Sequence, residues 1–395
     1  MKIILSNGRL ITPFRVLKDA GVVIEDGIIT EIIHGAYDGS FDRCIDAQGN
    51  YISPGFIDMH THGGGGYDNM DGTHEAIMGA AKTHMRYGTT SLTPTSLSSS
   101  DEELFTFFDC FKKAKKEMVN GPNLLGIHLE GPYVSPKRSG AQDAAYIKDP
   151  EREHLMKILS RSDDIVRISA APELPGGMEL GRELRKRGIL ASICHSDALY
   201  ETVLEACENG YNLVTHFYSG NSTLSRPKAR RELGIIETAY LIDELWVEII
   251  ADGIHLPPEL LKLIIRGKPS NRICLTTDSM RGAGMPEGQI VKLGSLKNGQ
   301  DTIIENGVAM MMHHRSYGGS ICTTDRCVRT MVKLVGLPVE DAVRMMSLNP
   351  ARVMGIRKKG ILSPGMDADI CVFGDDIRIK KVVVGGRVTI NNGDE

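Results

Sequence analysis

The chain has 395 residues, 41% of them hydrophobic and 24% charged, with a net charge of −4. That length suits a barrel of about 250 residues with a smaller unit beside it, and the modest charge supplies no footprint for nucleic acid or a membrane surface. No apolar run is long enough to span a bilayer. The eight cysteines form no Cys-x-x-Cys pair, so neither a disulfide framework nor a zinc ribbon is expected. Free thiols and eighteen methionines fit a reducing, cytoplasmic setting, and the apolar run that begins the chain is too short for a signal peptide.

In chain order, residues 3–5, 21–24 and 28–33 read as short strands, punctuated by Asn7-Gly8 and Asp26-Gly27 turns. From Pro54 onward apolar runs alternate with amphipathic helices, the pattern of repeated βα units. Strands are predicted at 55–58, 89–93, 124–129, 165–170, 190–194, 213–215, 247–250 and 273–276. Helices are predicted at 73–87, 101–116, 150–159, 178–187, 198–209, 257–266, 325–335 and 338–346. Strand character returns at 369–373, 377–384 and 387–390. The expected architecture is α/β: a TIM-like (β/α)8 barrel over 54–355, with a small β-sandwich domain built from 1–53 and 356–395.

The chemistry-bearing residues follow the apolar runs. In Leu125-Gly126-Ile127-His128-Leu129-Glu130-Gly131-Pro132 a carboxylate ends a buried strand just before a forced turn, which is where barrel enzymes keep a metal ligand or an acid/base group. His60-Thr61-His62 places two imidazoles on one strand face, able to share an ion or merely to sit in a turn. His195 and His216 lie just past two successive strands. Two imidazoles and the Glu130 carboxylate, with a position open to water, are the donor set of a catalytic metal. Asp278 either caps a helix or takes a proton from water at such a metal. His255 follows an Asp252-Gly253 turn and either contacts substrate or is an ordinary loop histidine. Asp58 is a candidate to orient an imidazole from behind. Gly63–Gly66 lacks the Gly-Lys-Ser/Thr ending of a phosphate loop and reads as a tight turn. Arg226, Lys228, Arg230 and Arg231 form a basic cluster that is either a solvated loop or a match for a phosphate-bearing substrate.

These segments together resemble the N-acetylglucosamine-6-phosphate deacetylase family of the amidohydrolase superfamily. The match runs through Pro54-Gly55-Phe56-Ile57-Asp58-Met59-His60-Thr61-His62-Gly63, His128-Leu129-Glu130-Gly131-Pro132, Ala171-Pro172-Glu173, Cys194-His195-Ser196, Thr215-His216, Ala251-Asp252-Gly253-Ile254-His255, Thr277-Asp278, Asn349-Pro350-Ala351-Arg352 and Gly365-Met366-Asp367-Ala368-Asp369. The resemblance implies a homodimer that removes acetyl from an amino sugar phosphate. It implies Glu130, His195 and His216 on a principal divalent ion, zinc or ferrous iron, with His60 and His62 on a second where two are bound. Asp278 is then the catalytic acid/base and His255 a substrate contact.

The sugar-binding elements depart from the family pattern. Tyr218-Ser219-Gly220-Asn221 stands where members have Asn-Ala-Met, and Gly140-Ala141-Gln142 where they have Gly-Ala/Thr-His. Arg231-Glu232-Leu233-Gly234 replaces Arg-Glu-Pro-Gly, and Tyr317-Gly318-Gly319-Ser320 replaces Leu-Ala-Gly-Ser. Substrate contacts are accordingly expected from Ala141, Gln142, Ser219, Gly220, Tyr317, Gly318 and Gly319, with Arg231 on the phosphate and Arg230 next in line. Such changes alter selectivity among acetamido sugars. The competing readings are another amidohydrolase, such as a cyclic amidase or a ring deaminase, and a non-catalytic sugar-binding member.

Overall fold

The structure is a computed structural model that describes residues 1–391, and of Lys228 only the backbone. The last four residues of the predicted 356–395 segment therefore lie outside the described residues. The chain opens with β1 (Lys2–Ile11), β2 (Val16–Glu25) and β3 (Ile28–His34), paired antiparallel in succession. Asp26 and Gly27, with φ of 48° and 84°, make the two-residue turn between β2 and β3. Next, β4 (Arg43–Asp46) and β5 (Tyr51–Pro54) both pair in parallel with β1.

The barrel strands follow: β6 (Phe56–Thr61), β7 (Thr89–Pro94), β8 (Ile127–Glu130), β9 (Ile165–Ala170), β10 (Leu190–Ile193), β11 (Tyr211–Val214), β12 (Trp246–Ile250) and β13 (Ile273–Thr276). From β8 to β13 they form one parallel sheet in chain order, and β6 pairs in parallel with β7. Parallel bridges Thr95–His128 and Thr61–Ser279 link the two sheets at both margins, giving a TIM-like barrel. Each run predicted as a barrel strand overlaps one of these. The 124–129 run is interrupted at Leu125 and Gly126: Asn123–Leu124 pairs in parallel with β7, and Ile127–Glu130 continues into the β8–β13 sheet.

Around the strands lie α1 (His74–Met85), α2 (Asp101–Glu117), α3 (Arg152–Arg161), α4 (Gly177–Arg187), α5 (Tyr200–Glu208), α6 (Ile235–Leu241), α7 (Pro258–Gly267), α8 (Thr324–Thr330), α9 (Val339–Met346) and α10 (Leu348–Val353). In α2 the Ser100 hydroxyl caps the N-terminus by accepting from Glu103 N at 3.2 Å. Leu104, Phe107, Phe108, Phe111 and Ala114 recur at helical spacing and face the core. The helix predicted at 325–335 is α8 followed by a π-helical turn, Met331–Val335, ended by Gly336 at φ 90°.

Sequence reasoning missed a small antiparallel sheet between β13 and α8, formed by β14 (Ile290–Leu293), β15 (Gln300–Glu305) and β16 (Val308–Met311). It also missed α6 and α10. At the far end β17 (Ile370–Phe373), β18 (Ile379–Val384) and β19 (Arg387–Asn391) pair antiparallel, and β17 pairs antiparallel with β5. The two ends of the chain thus share one sheet with its own core, to which Leu5, Leu10, Val22, Ile52, Ile370 and Val383 contribute.

Candidate active site

The predicted ligands converge at one mouth of the barrel. His60 is the penultimate residue of β6 and His62 lies just beyond it, while Glu130 ends β8. His195, His216 and Asp278 follow β10, β11 and β13, and all three adopt left-handed backbone, with φ of 43°, 29° and 47°. That conformation is rare for residues with a Cβ and reverses the chain at once, so each side chain turns back over the barrel mouth.

Glu130 is the hub. Its Oε1 lies 2.8 Å from His216 Nε2 and 3.4 Å from His195 Nε2. Its Oε2 lies 3.3 Å from His62 Nε2 and 3.7 Å from His60 Nε2. Asp278 Oδ1 is 3.2 Å from His62 Nε2 and 3.3 Å from His60 Nε2. The far sides of the rings are held. His195 Nδ1 faces the Arg138 carbonyl at 2.7 Å, and His216 Nδ1 faces the Ser219 carbonyl at 3.1 Å. A nitrogen facing a carbonyl carries the proton, so the Nε2 lone pairs of His195 and His216 point at Glu130. Lone pairs and carboxylate oxygens turned toward one point fit a cation there, and the nitrogen–oxygen donor set fits a divalent one.

The electrostatics are those of a cation-seeking pocket. Burial pulls the His60 imidazole down, but the Asp278, Glu248 and Glu130 carboxylates outweigh it and lift it to about 10. For His62, burial is likewise outweighed by Asp278 and Glu130, giving about 9. Burial disfavours the Glu130 carboxylate, yet His60, His195 and His216 hold it well below its usual range. Asp278 is lowered too, against its burial, by His60 and His62.

Two supporting residues escaped the sequence reading. Glu248, in the middle of β12, holds His60 Nδ1 at 2.9 Å and forms a fully buried ion pair with Arg167 of β9 at 2.5 Å. Arg167 also donates to the Met59 carbonyl and to Thr215 Oγ1. A charged residue inside an apolar strand was the available signal, since buried charges come paired. Asp58, by contrast, touches no imidazole. It accepts from Thr276 Oγ1 at 3.0 Å and Thr277 Oγ1 at 2.6 Å, and so anchors the turn that carries Asp278. The imidazole-orienting role expected of Asp58 falls to Glu248, because the Asp58 carboxylate is fully engaged by the two threonines.

His62, Glu130, His195, His216 and Asp278 floor a cleft of about 270 Å³ lined by Ala141, Gln142, Ser219, Gly220, His255, Tyr317 and Gly319 from the predicted recognition set. Leu293, Ser316 and Tyr317 contribute a wall from β14 and the segment after β16. His255 Nδ1 is held by Asp252 at 2.7 Å, and its ring lies 4.6 Å from that of Tyr317. Gln142 donates to Glu130 Oε2 at 2.9 Å while its own carbonyl accepts from Ser98 N at 2.7 Å. Gly318 is buried behind the wall against Thr302 and Met311. Arg226, Arg230 and Arg231 are exposed on the loop before α6 and do not line the cleft; the Lys228 side chain lies outside the described residues. Gly63–Gly66 is the expected tight turn, a short hairpin closed by Gly65 and Gly66 at positive φ.

The chain is similar to known proteins along nearly its whole length. The amidohydrolase family profile matches residues 51–389. The N-acetylglucosamine-6-phosphate deacetylase of Lysinibacillus sphaericus is 33% identical over 377 residues, covering 93% of each chain. The N-acetylgalactosamine-6-phosphate deacetylase of Escherichia coli O157:H7 is 29% identical over 98% of each chain. The crystal structure of N-acetylglucosamine-6-phosphate deacetylase from Pasteurella multocida superposes with a TM-score of 0.91 at 26% identity, covering 99% of this chain and 100% of that one.

Proposed function

We infer the reaction from the premise that the chain belongs to the amidohydrolase family and, within it, to the N-acetylglucosamine-6-phosphate deacetylases. It is a hydrolase that removes the acetyl group of an N-acetylated amino sugar phosphate, releasing acetate and the free amino sugar phosphate. The observation that carries this reading is the meeting of Glu130, His195, His216, His62 and Asp278 at the floor of one cleft, with His60 buried against Glu130 and Asp278 beneath it.

The family is metal-dependent, and the chain has the donors for an ion. In our assignment Glu130, His195 and His216 hold the principal ion, zinc or ferrous iron, and His60 and His62 hold a second where two are bound. Held there, a divalent ion would supply Lewis acidity toward the amide carbonyl and would lower the pKa of water to about 7. The chain's own residues do the rest. Asp278, ionised and beside His60 and His62, accepts the proton of the attacking water at its carboxylate. It then returns that proton to the nitrogen of the departing amine. His255, its Nδ1–H held by Asp252, presents Nε2 to accept from a substrate hydroxyl. Gln142 fixes the Glu130 carboxylate, and the Tyr317 ring narrows the cleft beside His255.

The barrel, in this reading, is a closed (β/α)8 unit spanning 54–355, and the sheet shared by 1–53 and 356–395 is a small β-sandwich domain. No lysine or arginine lines the cleft among the described residues. The phosphate is therefore met by Arg231 or Arg230 on the exposed loop, from this chain or from the second subunit of a homodimer. Eight unpaired cysteines support a cytoplasmic location.

A second candidate substrate is N-acetylgalactosamine 6-phosphate, the sugar named for the Escherichia coli relative. Acetate release by the metal-reconstituted protein from both sugar phosphates is the direct test. Release from either supports the deacetylase, and the ratio of kcat/KM identifies the sugar. Release from neither, by protein that has taken up its ion, overturns the assignment.

A further inference from the structure

Cys194 directly follows β10, immediately before His195, and its side chain is fully buried under the predicted ligands. Its Sγ lies 3.5 Å from Glu130 Oε1 and 3.6 Å from His216 Nε2. One ligand atom from each of Glu130, Cys194, His195 and His216 lies within 4.8 Å of all the others. Those are the separations of donors that share one ion. With metal–nitrogen bonds of about 2.1 Å and metal–sulfur bonds of about 2.3 Å, tetrahedral neighbours sit about 3.6 Å apart. Three other buried thiols behave differently: Cys322, Cys327 and Cys371 point their sulfurs at the backbone carbonyls of Thr323, Thr276 and Gly88, and Cys322 and Cys327 also lie 3.4 Å from each other. The hydrogen-bond neighbours of Cys194 are instead two of the ligand side chains.

We propose that Cys194 is a fourth protein donor to the ion held by Glu130, His195 and His216. This rests on the reading of those three as ligands. On binding, a sulfur–metal bond forms, the S–H bond breaks, and the proton leaves to solvent. A thiolate in the set turns the site toward zinc or cobalt and away from hard ions such as magnesium and manganese.

The full-length protein, stripped with a chelator and reloaded with cobalt(II), tests this. Visible ligand-field absorption reports that the ion is bound, and a near-ultraviolet thiolate-to-cobalt charge-transfer band reports sulfur. Wild type is expected to show both. Cys194→Ser is expected to keep the visible absorption and lose the charge-transfer band, whereas Cys110→Ser keeps both. The proposal is overturned if wild type binds cobalt without the charge-transfer band, or if that band survives in Cys194→Ser. Failure of wild type to take up cobalt or zinc at all removes the metal site itself, and this proposal with it. Because Cys194 is buried and the variant could misfold, X-ray absorption of zinc-loaded wild type gives an independent reading. A sulfur shell at about 2.3 Å is expected, and a shell of nitrogen and oxygen alone at about 2.0–2.1 Å overturns the proposal.

Discussion

His195, His216 and Asp278 share a backbone conformation that side chains with a Cβ disfavour. Holding it costs about 1–2 kcal/mol per residue. A glycine relieves that strain, so His195→Gly should be more stable than His195→Ala by about 1 kcal/mol, measured by denaturant unfolding of the metal-free proteins. Asp278 carries the proton, and Asp278→Asn is expected to lower kcat by about 10²–10⁴-fold while the bound metal per subunit is unchanged. Acetate release together with elemental analysis checks both halves. Glu248 is a different case, because it touches no cleft. Glu248→Gln leaves the buried Arg167 guanidinium without its counter-charge, a loss of about 3–5 kcal/mol in unfolding free energy.

The elements differ in how plainly the chain announces them. The barrel strands are almost entirely buried, so most stand out as short apolar runs, and their C-terminal ends mark where His195, His216 and Asp278 must be. The β14–β16 sheet was not legible as an apolar run, because Gln300–Glu305 is mostly polar and only one face packs, with Val291, Leu293, Ile304 and Met311 forming a local cluster. Its one clear signal was Asn306-Gly307, the two-residue turn between β15 and β16, with φ of 52° and 77°. Arg167 and Glu248 were hidden for another reason: each is a lone charge in its strand, and its partner is 81 residues away. Among the helices, α2 separates two contributions. Ser100→Ala removes the cap and should cost about 1 kcal/mol, whereas Phe107→Ala opens a cavity in the core and should cost about 3–5 kcal/mol. Both variants should retain wild-type kcat/KM when folded, since α2 packs outside the barrel and contributes no ligand.

At the scale of the whole molecule, acid stability follows from the buried pair under the site. Burial disfavours an ionised Glu248, but Arg167 and His60 lower it from 4.5 to about 2. A carboxylate with a lowered folded pKa stabilises the protein fully above its unfolded value, and that stabilisation is lost as pH falls toward about 2. The slope of unfolding free energy between about pH 4.5 and 2 should therefore flatten in Glu248→Gln. The pairing of β5 with β17 has a consequence for synthesis. On the ribosome β1 through β5 emerge more than three hundred residues before their neighbour Ile370–Phe373, so the β5 edge waits open while the barrel is being made. A nascent protein that stalls or is truncated before Ile370 should present that edge to other copies and be recovered as aggregate, while full-length protein, whose edge is sealed by its own tail, should be recovered in solution.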